Sequence, residues 1–309
     1  QNPDIEVTPV YSGDYNQTLA AVRAASQAGD TPAAAVLMST ELYALTDEDL
    51  IVPVQEIEDD PEWFGSFYDA FMANSVLDGT VASIPFQRST VVQFWNKEHF
   101  EQAGLDPEVP PATWDELMEM GKQVQEGSDA QWGVQIPSDN PNGAWLMQAL
   151  TVQNGLEIAS DDGKEVYFDD PRAVEALEYW VSLADEGVSP SGTISWGTLP
   201  DDFASGGTSV IWTTTGQLSN IRSQADFDFG VSVLPANERP GSPTGGGNIY
   251  IFKATTEEEQ QAALKLARFL SSPELQAEWT VASGYVAPLE AAWEVDELAA
   301  YAEEFPPSR

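Results

Sequence analysis

Ser83-Ile84-Pro85-Phe86-Gln87-Arg88-Ser89-Thr90-Val91-Val92-Gln93-Phe94-Trp95-Asn96-Lys97 is the stretch on which the reading of this chain turns. Its β-branched and aromatic residues favour extended backbone, and it runs into a helix-like segment from Lys97 to Gly104. Pro85 and the polar pair Ser89-Thr90 stand where a continuous core strand would be apolar. A buried strand broken by hydroxyls passes somewhere that needs them. The expectation is a strand that crosses between two lobes and lines the cleft between them. Ser89 then faces a ligand, while Phe86 and Val92 anchor the strand in the cores.

On either side of this stretch the chain alternates helix-like and strand-like segments, the pattern of an α/β layer. Asp14 is placed to cap a helix carrying Leu19, Val22 and Ala25, which ends before Gly29. Ala33 to Met38 reads as a small-residue strand, with Ser39, Thr40 and Glu41 just after it, where open α/β sheets put ligand groups. Trp63 to Phe71 is an aromatic helix or turn. Thr113 with Glu116 forms a capping-box pattern for a helix that Gly127 terminates. Trp132 to Ile136 is a short strand, and Asn140 to Gly143 a polar loop before a helix with Trp145, Leu146 and Leu150. Asp170-Pro171 starts a further helix, expected to turn Val174, Leu177, Val181 and Ala184 inward. Strands follow at Thr208 to Trp212, Phe229 to Leu234 and Ile249 to Phe252, with a Pro/Gly-rich loop from Pro235 to Gly247. Thr256 with Glu259, and then Ser272-Pro273, open the last two helices, the second ending near Gly284.

The chain has 309 residues, of which 42% are apolar, enough for two lobes with separate cores. It carries 51 acidic residues against 12 basic ones, a net charge of −39. Self-repulsion on that scale destabilises a compact chain in dilute buffer, and molar salt, with a Debye length of about 3 Å, screens it. The acids are dispersed among apolar positions, as on a solvated surface. We infer a protein of a high-salt environment, most simply a halophile. The same charge argues against nucleic acid and anionic membrane surfaces as partners. The chain has no cysteine, which excludes disulfides, thiolate nucleophiles and Cys-type zinc sites. No run approaches the length of a transmembrane helix.

Several motifs occur in the order of a known family: Val10-Tyr11-Ser12-Gly13-Asp14-Tyr15; Pro85-Phe86-Gln87-Arg88-Ser89-Thr90 with Trp95-Asn96-Lys97; Ala103-Gly104-Leu105-Asp106-Pro107 with Pro110-Pro111-Ala112-Thr113-Trp114; Gly216-Gln217-Leu218-Ser219-Asn220-Ile221-Arg222; Gly230-Val231 to Pro235; Gly245-Gly246-Gly247; and Ser283-Gly284-Tyr285. Together they cover nearly the whole chain. It resembles the extracellular solute-binding proteins of carbohydrate ABC importers, most of all their glycerol-3-phosphate-binding members. The resemblance implies a two-lobed α/β, periplasmic-binding-protein-like fold of type II, the Venus-flytrap arrangement. Lobe I would be 1–88 plus 249–284 and lobe II 89–248 plus 285–309, with hinge crossings near Ser89, Gly247 and Tyr285. The family carries a further strand and helix before Gln1, after a lipoprotein signal, and more helix after Arg309. The resemblance therefore implies a chain truncated at both ends, anchored at the cell surface through the missing segment. It also implies a monomer with an ABC permease as partner, and neither a cofactor nor a metal.

Carried over by position, Tyr15 and Tyr285 match ligand-contacting tyrosines and Ser89 a hydroxyl donor on the crossing strand. Thr214 and Thr215 match a serine pair, and Gly245 and Gly246 a glycine pair whose backbone N–H groups reach the ligand. Ser39 stands where the glycerol-3-phosphate binders have an acidic residue that holds hydroxyls. Pro141 and Ala144 stand where they have tryptophan, with Trp145 one position away. Arg309 has no secure match to the family's phosphate-gripping arginine. These departures tilt the expected ligand towards a neutral sugar or polyol rather than a glycerol phosphate.

Hydroxyl-rich ligands need donors and acceptors around the edge and an aromatic face beneath. Trp145, Trp196 and Trp212 are candidate platforms, whereas Trp114 and Trp180 read as core. Arg88 is able to pair with an anionic group, but among so many carboxylates a structural ion pair is the expectation. Asp161-Asp162-Gly163 lacks calcium-loop spacing and reads as solvated surface. An enzyme reading finds little support: His99 is the sole histidine and neither G-x-S-x-G nor H-E-x-x-H occurs. A glycosidase carboxylate pair is the enzymatic alternative, and a surface protein that binds nothing the structural one.

Overall fold

Alternating helix and strand patterns predict two α/β layers, and the computed structural model describes residues 2–160 and 163–304. Asp161, Asp162 and Arg309 lie outside the described residues. The strands are β1 (Ala34–Met38), β2 (Val76–Leu77), β3 (Thr80–Val81), β4 (Ile84–Asn96), β5 (Trp132–Gln135), β6 (Thr208–Thr214), β7 (Phe229–Ser232) and β8 (Thr244–Ile251). The longer helices are α1 (Tyr15–Ala28), α2 (Trp114–Gly127), α3 (Asn142–Gln153), α4 (Pro171–Asp185), α5 (Glu257–Leu270), α6 (Pro273–Ser283) and α7 (Asp296–Glu304). The chain divides into two units, the first running up to Ser89 and resuming over Thr244–Glu304, the second comprising Thr90–Pro243.

In unit 1, β8 lies between β1 and β4. β1 and β8 run antiparallel, with Ala34 opposite Ile251 and Met38 opposite Gly247. Leu37, Leu42, Tyr250 and Phe252 fill one buried cluster with Leu19 and Val22 of α1. Ile84, Phe86, Ile249 and Ile251 fill another with Ala263 and Ala267 of α5. Local chemistry fixes the helix ends. Asp14 and Gln17 form a reciprocal capping box at α1, and Gly29 closes it in the left-handed conformation at φ 77°. Thr256 and Glu259 form the same box at α5.

In unit 2, the second half of β4 pairs antiparallel with β6 on one edge, Gln93 facing Trp212, and with β7 on the other, Gln93 facing Ser232. β5 adds to β6 in parallel. Val91, Trp95, Trp114, Leu117, Val134, Leu150 and Trp212 share one core cluster, and Phe94, Phe203 and Ile211 share a second. Asn96 ends β4 and caps the helix Lys97–Gln102 through its side chain, which accepts from the His99 N–H at 3.1 Å. Thr113 accepts from the Glu116 N–H, but the Glu116 carboxylate turns to the Ala112 N–H at 2.7 Å instead of completing a box.

Three expectations are corrected. First, α4 buries Ala173, Ala176 and Leu183, whereas Val174, Leu177 and Val181 are exposed. Both stripes have helical spacing; the one that turns inward brings Tyr179 onto Trp114, their rings stacked 4.4 Å apart, and aromatic area outweighs the smaller aliphatics. Second, Gly245 to Gly247 lie within β8, not in a loop. Third, Tyr285 to Glu304 belong to unit 1, not to the lobe expected to hold 285–309. The Val286 N–H donates to the Arg88 carbonyl at 2.7 Å, and Leu289, Ala292, Leu298 and Ala302 are buried, the first three in the unit 1 core.

Gly246 has φ 91°, and a Cβ there would overlap the Gln87 carbonyl oxygen. Gly155 has φ 75° but open space around its Cβ direction. Gly246→Ala is expected to destabilise the fold by about 2–4 kcal/mol, more than Gly155→Ala, because it adds overlap to left-handed strain. Urea unfolding midpoints of the two variants check this.

Candidate functional site

Unit 1 gathers several of the residues singled out in the sequence. The capping box starts α1 at Tyr15, and a Cβ at Gly247 would come within 2.9 Å of the Tyr15 ring. The Tyr15 hydroxyl donates to Gln87 Oε1 at 3.2 Å and also meets the Tyr285 hydroxyl. Tyr285 is held by stacking on Trp279 at 6.1 Å, and Trp279 in turn on Phe86 at 5.5 Å. Burial pushes the Tyr15 phenol well above its ordinary range, with the Tyr285 charge and hydrogen bond adding to the shift. Burial raises Tyr285 as well. Both phenols are therefore neutral O–H groups at any physiological pH, able to donate and to accept.

Gly245 and Gly246 precede Gly247 on β8. Ser39 follows Met38, the partner of Gly247, and its carbonyl accepts from the Tyr250 hydroxyl at 3.0 Å. Ser89 is the last residue of the first segment of unit 1 and is buried. The structure thus brings Tyr15, Gly246, Gly247 and Tyr285 together, with Ser39 just past the end of β1 and Ser89 midway along β4. Gln87 was missed. Strand alternation puts it on the same side of β4 as Ser89, which is the pattern that could have found it.

Arg88 points the other way and is fully buried. Among the described residues the expected ion pair does not form. Nη1 donates to Asn248 Oδ1 at 3.1 Å, and Nη2 to Thr244 Oγ1 at 3.2 Å and Asn74 Oδ1 at 3.3 Å. Its guanidinium also lies 5.3 Å from the Phe71 ring centroid. Burial without a carboxylate pulls its pKa down to about 10.

Unit 2 holds a second hydroxyl group cluster. Val91 faces Thr214 across the β4–β6 pair, and the Thr90 N–H donates to Thr215 Oγ1 at 3.4 Å. Thr90 Oγ1 donates to Ser242 Oγ at 3.0 Å, and Ser242 Oγ to the Val91 carbonyl at 2.7 Å. Trp145 and Trp196 are both partly exposed and meet at 5.7 Å, tilted by 47°. Trp212 is corrected: it is completely buried in the unit 2 core and presents no free ring face.

His99 is buried against Ser209, with Nδ1 2.8 Å from Ser209 Oγ. Burial lowers its pKa, opposed by the charges of Asp129 and Glu98. No group of three or more potential metal ligands occurs among the described residues.

Residues 1–307 match the family of bacterial extracellular solute-binding proteins, and the chain belongs to that family. It is 29% identical to the sn-glycerol-3-phosphate-binding periplasmic protein of Salmonella typhimurium over 332 residues, covering 99% of this chain and 72% of the relative. The Escherichia coli K12 counterpart is 27% identical over 328 residues, with the same coverage. Among solved structures, UgpB of Mycobacterium tuberculosis in complex with glycerophosphocholine superposes with a TM-score of 0.89 at 23% identity, covering 99% of this chain and 77% of that one. Maltose-bound MalE3 of T. maritima gives a TM-score of 0.82 at 21% identity, covering 96% and 75%. The fold is that of the two-lobed solute-binding proteins. No helix among the described residues is long and apolar enough to cross a membrane.

The depressed His99 pKa carries a sign. Above the unfolded value of about 6.5 both states are neutral and the residue adds no pH dependence. Below it, the unfolded chain takes up a proton before the folded one, so stability falls with pH until the lowered folded pKa is reached. His99→Gln is expected to remove a slope of at most about 1.4 kcal/mol per pH unit in that window. Denaturant midpoints of wild type and variant between pH 7 and 5 measure it.

Proposed function

We propose that this protein is the capture component of an ABC importer for a small hydroxyl-bearing solute, a sugar, a polyol or a glycerol-phosphate compound. The observation that carries the reading is the convergence of Tyr15, Gln87 and Tyr285 on the Gly246–Gly247 backbone in unit 1. Neutral hydroxyls, an amide and close-approach glycines are what polyhydroxylated ligands require. The hydroxyls of Thr90, Thr214 and Thr215, together with the Trp145–Trp196 pair, supply the contacts of unit 2. Ser39 and Ser89 complete the set. Relatives named for sn-glycerol 3-phosphate, and neighbours holding glycerophosphocholine or maltose, fall within the same ligand class.

Within it we favour a neutral sugar or polyol, because Arg88, the cation beside the Tyr15 cluster, is buried and already bonded to neutral partners. Binding would bias an equilibrium between open and closed forms, the closed one presented to the permease. The protein acts as a monomer without chemistry: the buried His99–Ser209 contact has no hydrogen-bonded acid among the described residues, which argues against a nucleophilic triad. We place it outside the membrane, held by a lipid-modified N-terminal segment, and in high salt.

A thermal-shift screen in 2 M KCl against maltose, glycerol, sn-glycerol 3-phosphate and glycerophosphocholine tests the ligand class. A true ligand at one hundred times its Kd should add about 2.7 kcal/mol of stability. Ser89→Ala should weaken that binding about 3- to 10-fold, the loss of one hydrogen bond, and leave the unliganded melting temperature nearly unchanged. Absence of a shift with every compound defeats the assignment.

The salt reading has a separate check. With a net charge of −39, the melting temperature should rise steadily from 0.1 to 2 M KCl as the Debye length shrinks from about 10 Å to below 3 Å. A flat response counts against a high-salt origin.

A further inference from the structure

Gly245, Gly246 and Gly247 have no side chains to hold them, and glycine loses more backbone freedom on ordering than any other residue. The residues flanking the run, Thr244 and Asn248, are both gripped by the same group, the Arg88 guanidinium. Asn74 braces the grip: its Oδ1 accepts from Arg88 Nη2 and from Thr244 Oγ1, each at 3.3 Å. Asn248 is tied down further, its Nδ2 donating to the Asn74 carbonyl at 2.9 Å, Ser75 Oγ at 3.0 Å and Ser83 Oγ at 2.9 Å. The backbone next to Arg88 meets the same run, since Gly246 packs on the Gln87 carbonyl.

A rigid planar fork can reach two strand positions four residues apart; a lysine, with one point charge, cannot hold both in the same way. Keeping this cation is costly. It is wholly buried, and among the described residues its Nε finds no partner and no carboxylate pairs with it, although the chain holds 51 acids. A buried charge without a counterion is normally removed or neutralised. Filling space alone would be met as well by methionine.

We propose that Arg88 is the positioning residue of the binding site, clamping both ends of Gly245–Gly247 so that the glycine backbone is held ready for the solute. The assignment rests on the reading of this run as ligand-contacting, and its test separates the two. Amide hydrogen exchange of the full chain, followed by mass spectrometry, reports the clamp without any ligand. Arg88→Met should speed exchange at Gly245–Gly247 at least tenfold and leave the α2 amides of unit 2 unchanged. Arg88→Lys should fall between Arg88→Met and wild type. Thr244→Val, which removes one arm at nearly constant volume, should give a smaller rise of about threefold and serves if Arg88→Met fails to fold.

Binding of maltose and of sn-glycerol 3-phosphate is then measured on folded protein well below the melting temperature. There, a merely structural loss leaves Kd unmoved, whereas the clamp predicts at least tenfold weaker binding by Arg88→Met, or threefold by Thr244→Val. Unchanged exchange at the glycines in both variants overturns the clamp, whatever binds. Faster exchange with unaltered affinity for a probe that binds wild type overturns its role in positioning. Faster exchange in a protein that binds neither probe leaves the clamp standing and counts instead against the proposed ligand class.

Discussion

One strand has to satisfy two cores. β4 runs for thirteen residues from unit 1 into unit 2, and nearly every position along it is buried. Its first half puts Ile84 and Phe86 among the aliphatics of β8 and α5, and its second half puts Val91 and Trp95 into the unit 2 core. Between them the backbone carries Gln87, Arg88, Ser89 and Thr90; the side chains of Gln87, Arg88 and Thr90 are met by hydroxyls and amides, and Gly246 packs on the Gln87 carbonyl. A polar stretch inside a buried strand is tolerable only if its partners are supplied from neighbouring elements. Much of what is unusual elsewhere answers that need: the hydroxyls of Thr244 and Ser242, the amides of Asn74 and Asn248, and the absence of side chains at Gly246 and Gly247.

The strand and its polar interruption were legible because both are local. So were the caps at Asp14, Asp170 and Thr256, where one side chain meets a backbone N–H two or three residues away. What sequence alone did not settle is the choice between equivalents. Two stripes of α4 had helical spacing, and only contact with Trp114 decided which turned inward. A glycine run reads as a loop until β1 and β4 are placed beside it. Tyr285 read as a crossing because a tyrosine after a helix end can lead either way; the Val286–Arg88 bridge keeps it in unit 1. Of the candidate site, the tyrosines and glycines were visible as motifs, while Trp212 was misjudged because a tryptophan's exposure depends on what packs over it.

Most of the basic side chains with described partners differ from Arg88. Arg23, Lys97, Lys122, Arg172, Arg239 and Lys253 sit at the surface, each paired with a carboxylate. Such pairs contribute little individually, but in a chain so acidic each one also relieves repulsion around it. Arg268 adds packing, bridging Glu58 and Asp60 while lying 4.1 Å from the centroid of Trp63. Arg88 alone of these was placed among neutral partners, which marks its position as set by geometry more than by charge.

The pairing of β1 with β8 has a consequence for how the molecule assembles. Unit 1 is built from the beginning and the end of the chain, and unit 2 from the uninterrupted middle. During synthesis all of unit 2 emerges while β1 still lacks the strand it pairs with, since Met38 must wait for Gly247. Non-local pairing of this kind is slow to form, and an unpaired strand edge is prone to wrong partners while it waits. Unit 2 is therefore the part able to complete its core first, and closing unit 1 around β8 is the late step of folding.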